Sequence, residues 1–270
     1  LSAYLTFRSS GAVVKGVPMQ PDGVDLQALE RVLSANPKPA FFYCIPNFQN
    51  PTGYTTSLEK RKAIYELTAR YGVPVLEDDP YGELRFSGEA LPPLKALGTG
   101  EHIIYAGSFS KILCPGMRLA YCIADQGLAR HLVTAKQCSD VHTNVWAQRV
   151  CEKMLTETDL AAHLARLRTI YGKKARQMMD ALDSQCPQIH YERPEGGMFL
   201  WGTLPDNIAM PEFVRRCLEK KLAVVPGNAF YVDDSAPCNS FRMNFSAPNS
   251  AQIERGVEIM AQVLTEMSGR

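Results

Sequence analysis

Between Ala40 and Ala124 the sequence repeats one pattern: a short apolar run rich in β-formers, then a stretch too long for a hairpin. The runs are AFFYCIP (40–46), VPVLEDD (73–79), HIIYAGS (102–108) and RLAYCIA (118–124). Antiparallel strands can be joined by two residues, whereas parallel ones need a crossover. The spacing therefore predicts buried parallel strands in an α/β layer structure. The first crossover reads as a helix. Ser57 can cap it, Ala63, Ile64, Leu67 and Tyr71 share one face, and Gly72 can end it.

The second half changes character. Long helical patterns run from about Asn144 to Thr156 and from Asp159 to Leu182, the latter with Lys173, Lys174 and Arg176 on a face expected to be solvated. Then come GGMFLWGTL, a helix near Pro211 to Lys220, LAVVP, SFRMNFS and a last helix from Ser250 to Met267. This shorter alternation predicts a smaller α+β domain. Residues 1–150 are expected to belong to a large domain with a mainly parallel sheet, and 151–270 to the small one.

Bulk properties exclude several classes. Lys plus Arg number 29 and Asp plus Glu 28, so no charge excess attracts nucleic acid. The eight cysteines form no C-x-x-C pair or zinc spacing and fit a reducing compartment. No apolar run reaches the roughly 18 residues that span a bilayer. A soluble, cytoplasmic protein is expected.

The unusual polar residues fall where strands end, the edge at which open α/β sheets bind ligands. Asn50 follows the first strand in NFQNPTG, Asp78 and Tyr81 lie in EDDPYGEL, and Ser108, Ser110 and Lys111 lie in SFSK, with Arg118 close behind. Each alone is ordinary turn composition, but three consecutive strand ends carry a consistent chemistry. A desolvated lysine amine forms Schiff bases with aldehydes, and a carboxylate facing a pyridine nitrogen keeps it protonated. An amide and a phenol can bond a ring oxygen, and two hydroxyls with an arginine suit a phosphate. Together they match pyridoxal 5'-phosphate.

In order, NPTG, EDDPYGEL, SFSKILCPGMRLAY, PEGGMFLW, VVPGNAFY and FRMNFS resemble the motifs of class I/II aminotransferases of fold type I. The resemblance covers essentially the whole chain, and is nearest to the branch of 2-aminoadipate and kynurenine aminotransferases. It implies a homodimeric enzyme that uses pyridoxal 5'-phosphate to exchange the amino group of an amino acid with a 2-oxo acid such as 2-oxoglutarate. It implies Lys111 as the covalent anchor and acid/base, and Asp78 as partner of the pyridine nitrogen, with Asp79 on the opposite strand face. Asn50 and Tyr81 would bond the ring oxygen, Ser108, Ser110 and Arg118 the phosphate, and Arg242 the substrate carboxylate. Taken alone, Arg242 reads as a surface arginine on an edge strand. Gly196 and Gly197 would permit close backbone approach, while Met198, Phe199 and Trp201 read as core.

At the front, no Gly-Ser/Gln phosphate turn, N-terminal arm or ring-stacking aromatic of that family stands in LSAYLTFRSSGAVVKGVP. The chain is therefore expected to be a fragment that, alone, holds the cofactor weakly or not at all. Other readings remain: an aminotransferase-like effector domain of a winged helix-turn-helix regulator, a β-eliminating enzyme of sulfur amino acids, and an inactive remnant.

Overall fold

A computed structural model describes residues 2–269. Helix α1 (Ser2–Ser9) and a short antiparallel ribbon, β1 (Met19–Gln20) with β2 (Gly23–Val24), lead into α2 (Leu26–Leu33). The first main sheet contains β3 (Phe42–Cys44), β4 (Val75–Asp79), β5 (Ile103–Ser108) and β6 (Ala120–Ile123), in that spatial order. Between β3 and β4 lies α3 (Leu58–Tyr71), with Ser57 Oγ accepting from the Lys60 amide and Gly72 ending the helix at φ +60°. Both ends are where the sequence predicts them. The face packed on the sheet contains Ile64 and Leu67, but also Arg61, wholly buried in what reads as a charged stretch.

β3, β4 and β5 are parallel, as expected; β6 is not. No crossover helix separates it from β5. The chain turns through Pro115–Met117, with Leu113 N–H bonding Phe109 O and Phe109 N–H bonding Leu119 O, and so returns antiparallel. All four β6 residues are exposed rather than buried, because β6 is the edge strand. Helix α4 (Gln126–Asp140), which the sequence reading passed over, follows it and buries no residue.

Helices α5 (Val145–Glu157) and α6 (Leu160–Gln185) are capped by Asn144 and Asp159. The expected division at residue 150 lies inside α5. A second sheet holds β7 (His190–Tyr191), β8 (Phe199–Thr203), β10 (Ser240–Asn244) and β9 (Val225–Pro226), in spatial order and all antiparallel. Helices α7 (Met210–Glu219) and α8 (Ser250–Ser268) cover it together with α6, around a core that includes Leu182, Leu200, Phe213, Phe241 and Val263. Lys174 departs from the solvated face expected of it. Its Nζ donates to Ser246 O at 2.7 Å, tying α6 to the loop after β10.

A third, small cluster of Phe48, Tyr81 and Phe199 lies between the sheets. The Phe48 ring occupies the space that a Cβ on Gly196 would need, and Gly197 stands at φ +74°. Both glycines are thus required at this close approach. Arg85 and Glu195 pair at 2.5 Å beside it, and Gly197 N–H donates to Leu84 O. No described helix is long and apolar enough to cross a membrane.

Candidate active site

Alternation along a strand decides which acidic side chain faces which way. On β4, Asp78 pairs in register with Ala106, and Asp79 with Gly107. Asp78 therefore shares a face with Ser108 two residues beyond Ala106. Its carboxylate accepts one hydrogen bond, from Tyr43 Oη to Oδ2 at 2.6 Å. Asp79 faces the other way and is occupied structurally. It accepts from Asn47 Nδ2 at 3.0 Å, the Gly82 amide at 2.9 Å and Tyr105 Oη at 3.1 Å. Burial raises the Asp78 carboxyl above the usual aspartate range, with the Asp79 charge adding to it and the Tyr43 hydrogen bond opposing it.

The second group is assembled from three segments. Asn50, in the turn after β3, accepts at Oδ1 from Arg242 Nη1 at 2.7 Å, although 192 positions separate them. Tyr81 is hydrogen-bonded to Asn50. Burial and the Asp78 charge push its phenol up to about 12, against the opposing effects of Arg242 and Asn50. Arg242 lies on β10, which is flanked by β8 and β9, so it is not on an edge strand. Its guanidinium carbon stands 4.5 Å above the Phe199 ring and 5.0 Å above the Phe230 ring. Its Nε is buried without a hydrogen-bond partner, and desolvation lowers its pKa. Phe199 is core, as expected, but it is also the platform under this arginine.

The third group follows β5. Ser108 Oγ accepts from the Ser110 amide at 3.1 Å, folding the turn that carries Lys111. Lys111 is half-buried and makes no hydrogen bond or ion pair with any described residue. Arg118, at φ +52°, is exposed and donates to Pro115 O at 3.0 Å. Since Ser108 pairs with Ala120, Arg118 stands beside the serine turn at the sheet's carboxyl edge. The structure thus brings together Asn50, Tyr81 and Arg242. It aligns Asp78, Ser108, Ser110 and Lys111 along one edge, and turns the guanidinium of Arg118 onto its own loop.

The donor set fits pyridoxal 5'-phosphate. A free amine, a carboxylate with one oxygen unbonded, an amide with a phenol, and two hydroxyls beside an arginine offer partners in turn to the cofactor's aldehyde, ring nitrogen, ring oxygen and phosphate. The sequence reading missed Tyr43, Phe230 and the Asn47–Arg61 support behind Asp79. Only strand alternation could have flagged Tyr43, which shares the face of Asp78.

Comparison with known proteins bears on the family and the fold. The family model described as aminotransferase class I and II matches residues 3–260. A 2-aminoadipate transaminase of Thermus thermophilus is 38% identical over 268 residues, 98% of this chain and 67% of that protein. Aromatic-amino-acid aminotransferase 1 of Thermococcus litoralis is 35% identical over 98% of this chain and 65% of its own length. The crystal structure of an α-aminoadipate aminotransferase from Thermus thermophilus, complexed with N-(5'-phosphopyridoxyl)-L-leucine, superposes with a TM-score of 0.92 at 37% identity. It covers 99% of this chain and 69% of that one. The chain therefore spans about two thirds of the length of the proteins it matches.

Proposed function

The chain belongs to the class I and II aminotransferases, of fold type I, and from that membership and the site geometry we propose that it transaminates an amino acid with a 2-oxo acid. The observation that carries the proposal is the junction of Arg242, Asn50 and Tyr81. A desolvated guanidinium, with one buried N–H unpaired, sits on two aromatic faces at the sheet edge that presents an unpaired lysine. Such a cation suits an α-carboxylate, for which the planar fork of arginine provides two parallel hydrogen bonds.

Bound at this edge, pyridoxal 5'-phosphate supplies an electron sink for the charge left when a substrate α-proton is removed. The chain's own residues do the rest. Arg242 orients the carboxylate, and Lys111 Nζ takes the α-proton. Asp78 would accept from the ring nitrogen and keep it protonated. Asn50 and Tyr81 would hold the ring oxygen, while Ser108, Ser110 and Arg118 would hold the phosphate. Residues 1–150 would carry the cofactor side of the cleft and 151–270 the smaller domain that delivers Arg242.

The names of the relatives support a donor of the 2-aminoadipate, kynurenine or aromatic class, with 2-oxoglutarate as acceptor, and a homodimer is the proposed assembly. The test is a panel of amino donors with 2-oxoglutarate, run alongside Lys111→Ala. That variant should lose the visible band of bound cofactor and all turnover while it melts like the wild type, because Lys111 makes no hydrogen bond or ion pair with any described residue. Turnover that survives the substitution would refute the assignment.

A further inference from the structure

Of three consecutive carboxylates on β4, one is singled out by how few donors it has. Glu77 accepts two backbone amides, from Leu94 and Lys95, and Asp79 accepts three hydrogen bonds. Asp78 accepts one, from the phenol of Tyr43. The pairing of Tyr43 with Leu76 puts Tyr43 and Asp78 on one face, diagonal across the two strands, within reach of a long aromatic side chain. On the other side, the residue in register with Asp78 is Ala106, which offers no polar atom. The Tyr43 ring is itself held, edge-on at 5.6 Å, by Phe7 of α1.

We infer that Tyr43 is a positioning residue of the reaction: its phenol fixes Oδ2 of Asp78 and leaves Oδ1, which no described residue bonds, as the acceptor for the cofactor's ring nitrogen. This rests on the function proposed above. A carboxylate with one donor keeps a defined rotamer and an unused lone pair, whereas one with none is free to turn and to take up a proton. Tyr43 stays a donor throughout, since burial and the Asp78 charge raise its own pKa. The other titratable groups around Asp78 are Cys44 on β3, Asp79 on its own strand and Tyr81 beyond it. Among the groups acting on Asp78, only the Tyr43 hydrogen bond favours the ionised carboxyl.

Tyr43→Phe keeps the ring and removes only the donor. In the full chain, carboxyl-carbon NMR with Asp78 assigned through Asp78→Asn would follow its titration, and equilibrium dialysis would give the dissociation constant of pyridoxal 5'-phosphate. A lost hydrogen bond to a charged acceptor predicts an Asp78 midpoint higher by about one pH unit, a tenfold weaker acid, and roughly tenfold weaker cofactor binding. Tyr105→Phe, which removes the matching phenol from Asp79 on the opposite face, should leave cofactor affinity within about twofold. If Tyr43→Phe lowers the melting temperature but leaves either the Asp78 midpoint or the cofactor affinity unmoved, the role is structural and the inference is overturned. Where the wild-type chain holds too little cofactor for dialysis, the Asp78 midpoint alone reports on Tyr43, and an unmoved midpoint overturns the inference; the function proposed above is tested separately by the donor panel.

Discussion

Arg61 is fully buried on α3 and forms no contact ion pair with any described residue. Its guanidinium instead bonds backbone and amide oxygens from three directions: Thr56 O at 2.9 Å, Pro92 O at 2.9 Å and Asn47 Oδ1 at 2.6 Å, with longer contacts to Pro46 O and Leu91 O. Arg61→Met keeps most of the volume and removes every donor. Three well-formed bonds to a charged group, at about 1.5 kcal/mol each, come to about 4.5 kcal/mol. A second route gives the same size. Glu77 and Asp79 act on Arg61 through space, and removing one partner of a buried charge set costs about 3–5 kcal/mol. With a denaturant slope near about 3 kcal/mol per M, the top of the usual range for small proteins, the urea midpoint should fall by about 1.5 M. Circular dichroism would read the midpoint. Hydrogen exchange should show protection lost first in residues 46–56 and along α3, the segments that Arg61 joins. Arg61→Lys, a single point donor, should recover part of the loss. A midpoint shift below about 0.3 M for Arg61→Met would mean that water or repacking satisfies those carbonyls, and would refute the reasoning.

Arg242→Lys should lower kcat/KM for α-amino acids by about a hundredfold, since an ammonium cannot form the bidentate contact or stack on Phe199 and Phe230. The loss should be much smaller for an amine lacking a carboxylate, and an equal loss for both would count against the assignment. For Asp78 the linkage has a definite sign. Its folded carboxyl titrates above its unfolded value, so the folded state holds the proton more tightly, and the contribution of Asp78 to stability declines as pH rises from about 4 through the folded pKa. The neutral isostere Asp78→Asn escapes that decline. Its melting temperature relative to wild type should therefore rise between pH 4 and pH 7, and a fall over that interval would contradict the raised pKa.

How much was legible in the sequence depended on how local each determinant is. The cap at Ser57, and the helix starts that Asn144 and Asp159 turn out to cap, were readable because cap and helix are adjacent in the chain. That Asp78 and Asp79 face opposite ways was readable because strand alternation is a rule of period two. The direction of β6 was not, since apolar content says nothing about whether the chain crosses over or doubles back, and the turn at Pro115–Met117 settles it through hydrogen bonds between Phe109 and its surroundings. Arg61 reads as one charge among EKRK, and only the loops folded over it make it a buried clamp. Arg242 reads as a surface residue until Phe199, Phe230 and Asn50 arrive from distant positions.

The contrast between Arg61 and Arg242 carries a physical consequence. Both are desolvated arginines, but Arg61 spends its donors on fixed protein oxygens, whereas Arg242 has one protein hydrogen bond and a buried Nε with none. The same asymmetry separates Asp79, with three donors, from Asp78, with one. Leaving a buried polar atom unpaired costs about 1–3 kcal/mol, so a fold that satisfies Arg61 and Asp79 so fully gains nothing from leaving Arg242 and Asp78 short. Arg85, whose Nη2 is also unpaired, has its charge met by Glu195; Arg242 has no such counter-ion among the described residues. A ligand anion at one end of the cleft and a ring N–H at the other would remove both deficits at once. Filling the site should then stabilise the chain, by about 2.7 kcal/mol at a ligand concentration of about 100 times the dissociation constant. That gain should depend on Arg242 and Asp78, and not on Arg61 or Asp79, whose valences are already full.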